Sequence, residues 1–599
     1  MKKLLIILIL AFWQLTGLQA QSGIYGYVVY DADFSCTYSA GDSFISDAII
    51  EAIDSLSTNK YYGNTARSTG EYSIQVPQGN YTVSAQLPYQ NPYFSFCQNN
   101  IPSIVNTGTT DTVFFYVQPT VLCPLLHVDI GSDGIPECGQ SKYYIRYENL
   151  GTVGAPNTFV DLSLDSFTTI NSSSIPSTAM GNNVYRFNIG YLGLGRDSMQ
   201  VIEVDVSVCG GIAGQAHCAK ANIYPNNICG NIWPGAILET EVVSFSDSVL
   251  FRIRNNGGLS MLASTRSSIV IDDLMYAQPF IGPLNPGQTD SIWVPTSIAS
   301  SYRFEIPQDS SMPKLVGGPV AWSAIEGANP DSLGLFNVGH LTKFYTDNQA
   351  VSEAYDCQEN QANLVYNRKI MQTKGYGSPR YIMANTPLEY QIRFQNLTPT
   401  IGQFVDIYDT LDAGIDIKSL HVGAVSHQSY TIELSGTNVL HIQFPFINLV
   451  PNIQDSTLSH GFINLHFDQK PELPLGTVIE NRAMIIINNF DTTYTANIFN
   501  TIGENFIVFV SNEVIYQPKA SVRVYPNPMI DIANFEVSGI DYKHLTLEIY
   551  STAGQLIQQV QGPSDSILQV QRNDLSAGLY FYRLLADGEQ IDAGKVMVR

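Results

Sequence analysis

The sequence predicts an all-β protein, built of tandem sandwiches strung like beads, on three observations. Long segments of 3.6-residue apolar periodicity are absent after residue 20, whereas short runs rich in Val, Ile, Tyr, Phe and Thr recur between Gly, Asn, Pro and Asp. Val201 to Val208 (VIEVDVSV) alternates apolar and polar, as a half-buried strand does. With 599 residues, and roughly 100–200 residues per domain, the chain accommodates several such units rather than one.

The opening residues are not part of that architecture. Lys2 and Lys3 precede the apolar run Leu4 to Trp13, and Leu18-Gln19-Ala20 closes the segment. This is the pattern of a secretory signal peptide spanning 1–20, with cleavage expected between Ala20 and Gln21. Ten apolar residues are too few to cross about 30 Å of hydrocarbon as a helix. No later stretch has the uninterrupted apolar length of a membrane helix, so no transmembrane segment is expected in the mature chain. All eight cysteines lie beyond the leader, and an even count in an exported chain points to disulfides. Cys36 and Cys97 flank the same N-terminal unit and are the pair expected to join; the other connectivities stay open.

Composition narrows the function. Fifty-three acidic residues against 30 basic ones give a net charge of −23, which repels nucleic-acid backbones, so no nucleic-acid partner is expected. Charged residues make up 14 %, against about 25 % in an average domain. The hydrophobic share of 44 % is ordinary. Cores can therefore form, under a surface of Ser, Thr, Asn, Gln and Tyr.

An internal repeat marks the units. Ile145-Arg146-Tyr147-Glu148-Asn149, Phe251-Arg252-Ile253-Arg254-Asn255 and Ile392-Arg393-Phe394-Gln395-Asn396 share one pattern, and the first two run on to Gly151 and Gly257. The expectation is a strand with alternate residues in the core and Arg outside, ending at a turn where Asn and Gly accept positive φ. Gly190-x-Leu192-x-x-Gly195 and Gly282-x-Leu284-x-x-Gly287 form a second echo. The resulting units are 21–119, 120–231, 232–335 and 336–503, then a linker over 504–520 and a last unit over 521–599.

Several of these units resemble known families. Ser68-Thr69-Gly70-Glu71-Tyr72-Ser73 through Gly79-Asn80-Tyr81-Thr82-Val83 is similar to the carboxypeptidase-regulatory-like, prealbumin-type sandwich, a non-catalytic module. Residues from about 121 to 330 resemble bacterial surface Ig-like and CARDB-type adhesion-related repeats. From about 340 to 503, Leu388-Glu389-Tyr390, Ser459-His460-Gly461-Phe462, Leu473-Pro474-x-Gly476-Thr477 and Asn481-Arg482-Ala483 resemble an uncharacterised β-domain of secreted proteins, with Val365-Tyr366-Asn367-Arg368-Lys369 replacing its usual acidic opening. The C-terminus carries Tyr525-Pro526-Asn527-Pro528, Asp531, Gly554, Gly578-Leu579-Tyr580 and Lys595 in order. It resembles the type A C-terminal sorting domain of the type IX secretion system. That resemblance implies a cleavable seven-stranded sandwich, a translocon partner, and delivery through the periplasm to the outer surface or medium.

A search for chemistry leads to a non-enzymatic reading, with no catalytic, cofactor or metal residues expected. Gly41-Asp42-Ser43-Phe44 and Asp541-x-x-His544 resemble the blocks of a lipase family, but they fall in different β-units with no helices to build its scaffold. No histidine pair has zinc spacing. His460 and His466 share one side of a regular strand and read as strand residues. Asp31, Asp33, Asp129 and Asp133 sit beside turn residues, where calcium ligation and plain turn formation are both open. Tyr61, Tyr62, Tyr89, Tyr93, Phe94 and Phe96 cluster in the first unit. Pro88 and Pro92 place the second group in a loop, where rings would offer a carbohydrate platform. Asp followed by Ser or Thr and an aliphatic residue recurs, for example at Asp54, Asp111, Asp247 and Asp290. It resembles an O-glycosylation sequon and equally suits strand-entry turns. Two functions follow: a surface protein with an adhesive or structural role, or a glycan-binding accessory protein that uses its N-terminal sandwich.

Overall fold

The computed structural model describes residues 22–599 except 68, 195–198, 227–232, 273, 297–298, 314–315, 329–335, 337, 346–349, 490, 504–520, 539–541, 552–554, 564–566 and 573–574. The leader, with Ala20 and Gln21, and the linker 504–520 therefore lie outside the described residues. The chain forms two compact units, Met1–Val508 and Phe509–Arg599. No α-helix occurs among the described residues, and none is long and apolar enough to cross a membrane.

The larger unit holds four sandwiches in chain order. In the first, Gly23–Tyr30 and its partners face the sheet of Ile49–Asp54 and Gly79–Gln86. Gly70, in the turn before Glu71–Gln75, has a φ of 71°, and a Cβ there would stand 2.3 Å from Phe44 Cβ. Glycine is required on both counts. Cys36 and Cys97 are joined by a disulfide in this sandwich.

The second sandwich takes one strand from far along the chain. Its outer sheet runs Ser177–Gly181, Val184–Leu192, Ala155–Ser163, Ala216–Tyr224 and then Glu353–Glu359. The last strand falls in the span the sequence assigned to the fourth unit, and it is locked in register by the Cys218–Cys357 disulfide. A second bridge, Cys138–Cys209, crosses the inner sheet. Cys123 is also disulfide-bonded, and the eighth cysteine, Cys229, lies outside the described residues. The third sandwich, Leu238–Ser244 through Val320–Ile325, is thereby an insertion between two neighbouring strands of the second.

The sandwiches are tandem in sequence, yet the first, second and fourth also pack side by side. Leu126–Ser132 is buried at all seven positions and Leu388–Gln395 at all eight. A strand buried on both faces has one face in its own core and the other under a neighbour. Close approach needs small residues: a Cβ on Gly423 of the fourth sandwich would stand 1.9 Å from Asp129 Oδ2 of the second. Between the first and fourth sandwiches, Asn64 donates to Ile432 O at 3.0 Å and accepts from Leu434 N at 2.8 Å, extending one sheet edge onto another.

This packing corrects two expectations about the repeat. Arg146 and Arg393 are buried, at 3 % and 2 % exposure, because the faces they point from are covered; only Arg252 of the three lies outside, with its side chain 46 % exposed. The turn glycines and asparagines do not use positive φ either. Asn149, Asn255 and Asn396 are buried and bond the backbone of the chain around them. Gly151 and Gly257 leave room for the segment entering the sandwich, where a Cβ would stand 2.3 Å from Cys123 O and 2.2 Å from Gly235 O.

The C-terminal unit is a separate sandwich of seven described strands from Ser521–Tyr525 to Glu589–Val598, with its own core around Phe535, Leu547, Leu584 and Val596.

Candidate functional site

A dense set of buried polar side chains lies where the first, second and fourth sandwiches of the larger unit meet. The loop after Gly79–Gln86 projects Tyr89 and Gln90 there, with φ of 57° and 51°, a left-handed conformation that L residues avoid. Contacts on both sides hold Tyr89 in it. Its ring lies 4.9 Å from that of His127 and 4.6 Å from that of His421, and its hydroxyl bonds His127 Nε2. Tyr89, His127, Asp129, Lys418, His421 and His466 line a cavity of about 340 Å³. A second cavity of about 170 Å³ is lined in part by Ser43, Phe44, Arg67, Arg146, Glu148 and His421.

These groups are chiefly partners to one another. Glu148 takes His127 Nδ1 at 3.2 Å and Arg146 Nη2 at 3.0 Å. Arg146 also donates to Val422 O, to Gly423 O at 3.2 Å and to Tyr430 Oη at 3.3 Å, across the boundary between sandwiches. Burial opposes the charged Glu148, but Arg146 and His127 outweigh it and hold the carboxyl well below the usual range. Burial likewise opposes Asp129; His466, His127 and the Ala424 N–H bring its pKa down to about 2. Burial, reinforced by His466 and His127, pushes the His421 imidazole well below its ordinary value. The His421 ring stacks on His466 at 4.6 Å with the planes 5° apart.

The residues singled out in the sequence fall into place against this geometry. The two aspartates and two histidines considered separately are partners: His466 Nε2 lies 3.4 Å from Asp129 Oδ2, and His460 Nε2 lies 2.9 Å from Asp133 Oδ2. The sequence offered no signal for that pairing, since more than 300 residues separate each couple. Asp31 accepts from Ser35 N, Cys36 N and Gln118 Nε2, so its carboxylate is engaged in the loop; Asp33 and Asp42 stand beside it. Ser43 lines the smaller cavity with His421, but no hydrogen bond joins them, and His421 Nδ1 faces Ser419 O at 3.3 Å. His544 opens a strand of the second unit, and Asp541 lies outside the described residues. Ser43 is therefore not held on His421 as an activated serine nucleophile is held on its base.

The six aromatics of the first unit do not form a platform. Tyr62 and Tyr93 are buried, Tyr61, Phe94 and Phe96 are partly buried, and Tyr89 serves the junction. A row with Tyr38, Phe44 and Phe114 exposed and Tyr27 half-buried lies elsewhere. Phe44 sits 5.8 Å from Tyr38 and 4.8 Å from Tyr27, Tyr27 stacks on Phe114 at 5.8 Å, and Tyr25 and Tyr27 both donate to Glu71. At the Asp-Ser/Thr repeats, the carboxylates of Asp54, Asp111, Asp247 and Asp290 bond neighbouring backbone or hydroxyl groups at strand ends.

In the C-terminal unit, the Tyr525-Pro526-Asn527-Pro528 opening docks beside the last strand. Asn527 donates through Nδ2 to Lys595 O at 3.0 Å and accepts from Met597 N at 2.8 Å, as a neighbouring strand would. Met529 continues the pairing with Met597 O at 2.7 Å. Tyr580 donates to Ser576 O at 3.1 Å, the Asp531 carbonyl takes Arg572 N at 2.8 Å, and the Gly578–Ala586 strand pairs along Glu589–Val598. Gly554 lies outside the described residues. Residues 523–599 match the secretion system C-terminal sorting domain.

The tail is a type IX sorting domain. The chain is accordingly exported through that system to the cell surface or the extracellular space. Residues 366–501, which make up most of the fourth sandwich, match DUF7619, a domain of unknown function. No curated protein matches the chain. Among solved structures it is similar to BcpA, the major pilin subunit of Bacillus cereus (12 % identity, 56 % of this chain and 91 % of that one, TM-score 0.17). It is also similar to the RrgB pilus protein of Streptococcus pneumoniae (8 %, 67 % and 76 %, 0.18). A third is a collagen-binding domain from a Staphylococcus aureus adhesin (10 %, 24 % and 99 %, 0.15). TM-scores this low carry no inference about what the sorting domain's cargo does.

Proposed function

We propose that the exported part is a non-enzymatic structural or adhesive protein of the cell exterior. The carrying observation is the junction: its buried Arg, His, Asp and Glu side chains are committed to bracing three sandwiches against one another. Groups so engaged are poorly placed to turn over a substrate. The reading is tested by comparing attachment of cells with and without the chain, and by screening the purified protein for hydrolase activity. Loss of attachment without it supports the reading. An esterase activity abolished by Ser43→Ala would overturn it.

A second reading is favoured by the row of exposed Tyr38, Phe44 and Phe114 around half-buried Tyr27, beside Glu71. Flat rings flanked by a carboxylate suit the C–H faces and hydroxyls of a sugar. On a glycan array, binding that disappears in Phe44→Ala and Tyr38→Ala would support it; binding unchanged by both would remove this surface from consideration.

A further inference from the structure

The core of the fourth sandwich contains three polar side chains from three strands. Lys369 comes from Arg368–Met371, Asp409 from Gly402–Thr410 and Asn481 from the end of Val478–Asn481. The Lys369 and Asp409 side chains are 0 % exposed and bonded through Nζ and Oδ2, with Nζ 4.4 Å from the centre of the Tyr390 ring. Asp409 pairs with Ala483, two residues after Asn481, so the amide and the carboxyl come from adjoining positions. The Asn481 amide is close enough to influence both Asp409 and Tyr390, yet neither its oxygen nor its nitrogen makes a well-formed hydrogen bond. Asp409 Oδ1 is likewise unpartnered. A buried amide with both ends unpaired is rare, because desolvation then goes uncompensated. The buried Lys369 amine is bonded to the carboxyl that the amide adjoins, and it supplies a nucleophile for the acyl carbon.

We propose that Lys369 and Asn481 become joined by an intramolecular isopeptide bond, with Asp409 carrying the protons. The Lys369 amine passes a proton to Asp409 and attacks Asn481 Cγ, and the carbonyl electron pair moves onto Oδ1. As the pair returns, the Cγ–Nδ2 bond breaks, and Asp409 delivers the proton that lets Nδ2 leave as ammonia. One amine and one primary amide thus give one secondary amide and ammonia, with no oxidant and no cofactor. Burial pushes the Lys369 amine down and the Asp409 carboxyl up, bringing their proton affinities together so that a proton can pass from the amine to the carboxylate and on to Nδ2. Asp409, the carboxyl bonded to the amine, serves as proton carrier, which leaves the amide as acyl donor. The bond would cross the core, from the sheet of Arg368–Met371 to that of Val478–Asn481, and enclose most of the 366–501 match.

The test is mass spectrometry of the full-length protein after reduction, alkylation and trypsin digestion. The expected product is one branched peptide containing Lys369 and Asn481, uncut at Lys369 and lighter than the two linear peptides together by one ammonia, about 17 Da. Lys369→Arg and Asn481→Ala should each abolish it. Asp409→Asn, nearly isosteric, should leave the two peptides linear in a protein that retains its β circular dichroism. The wild-type digest decides alone if a variant fails to fold. Both linear peptides at full yield would overturn the proposal, and so would a loss of one water, about 18 Da, with linkage at Asp409. A bond surviving in Asp409→Asn would overturn the role given to Asp409.

Discussion

Asn255 shows how much one side chain does at the end of each repeated strand. Its oxygen accepts from Ile237 N at 3.2 Å and Gly257 N at 2.9 Å, and its nitrogen donates to Leu259 O at 2.8 Å and Leu284 O at 2.9 Å. Asn149 and Asn396 hold comparable sets, so the repeat preserves a hydrogen-bonding plug rather than a turn conformation. Alanine at 255 would remove all four bonds and leave Ile237 N, Gly257 N and Leu259 O without this partner, while Leu284 O keeps Met261 N; the loss is about 2–3 kcal/mol with partial rescue by water. Thermal unfolding of Asn255→Ala should show the third sandwich melting earlier while the other transitions stay in place. An unchanged profile would mean the plug is dispensable.

On a strand, the same repeat position has opposite consequences according to what covers the outward face. Arg252 reaches solvent beside Glu241, whereas Arg146 is enclosed by the fourth sandwich and Glu148. Arg146→Ala leaves buried Glu148 with His127 in place of two partners, takes the donor from two carbonyls, and should cost about 3–5 kcal/mol. Arg252→Ala should stay within about 0.5 kcal/mol. Equal shifts in unfolding midpoint for the two variants would remove Arg146 as a brace. This contrast also marks how far the sequence could be read. Alternation in VIEVDVSV and the spacing of Gly, Asn and Asp revealed strands and sandwiches, because each strand's inner face is apolar whatever lies outside. The junction stayed hidden because its outer faces carry Arg146, Asp129, His460 and His466, residue types that normally mean water. Their partners lie in another sandwich, and local pattern holds no record of that distance. The sorting domain was legible because its signals sit within one short segment; the part played by Asn527 on the last strand emerged only from the fold.

For the whole molecule, the junction sets the response to acid. The His421 pKa is depressed in the folded chain, so below about pH 6.5 the unfolded chain binds a proton that the folded one refuses, and stability falls with pH. Asp129 adds a later loss: its contribution is complete above about pH 4 and disappears as pH falls toward its folded value of about 2. Asp356, pushed up to about 6 by burial, works the other way and relieves the folded state between about pH 6 and 4. The melting temperature of His421→Gln should fall less between pH 7 and pH 5 than that of the wild type; parallel losses would exclude His421 as the source. At the C-terminus, the sorting domain has its own core, so deleting 521–599 should leave residues 21–503 folded inside the periplasm. Arrival of the truncated chain outside the cell would contradict that division of labour. The return of Glu353–Glu359 to the second sandwich has a mechanical meaning. Asn222 pairs with Glu353, and Cys218 is bonded to Cys357, so tension along the chain crosses from one strand directly to its neighbour. The third sandwich lies outside that line of force, so a pull along the chain would bypass it and leave its strands unloaded.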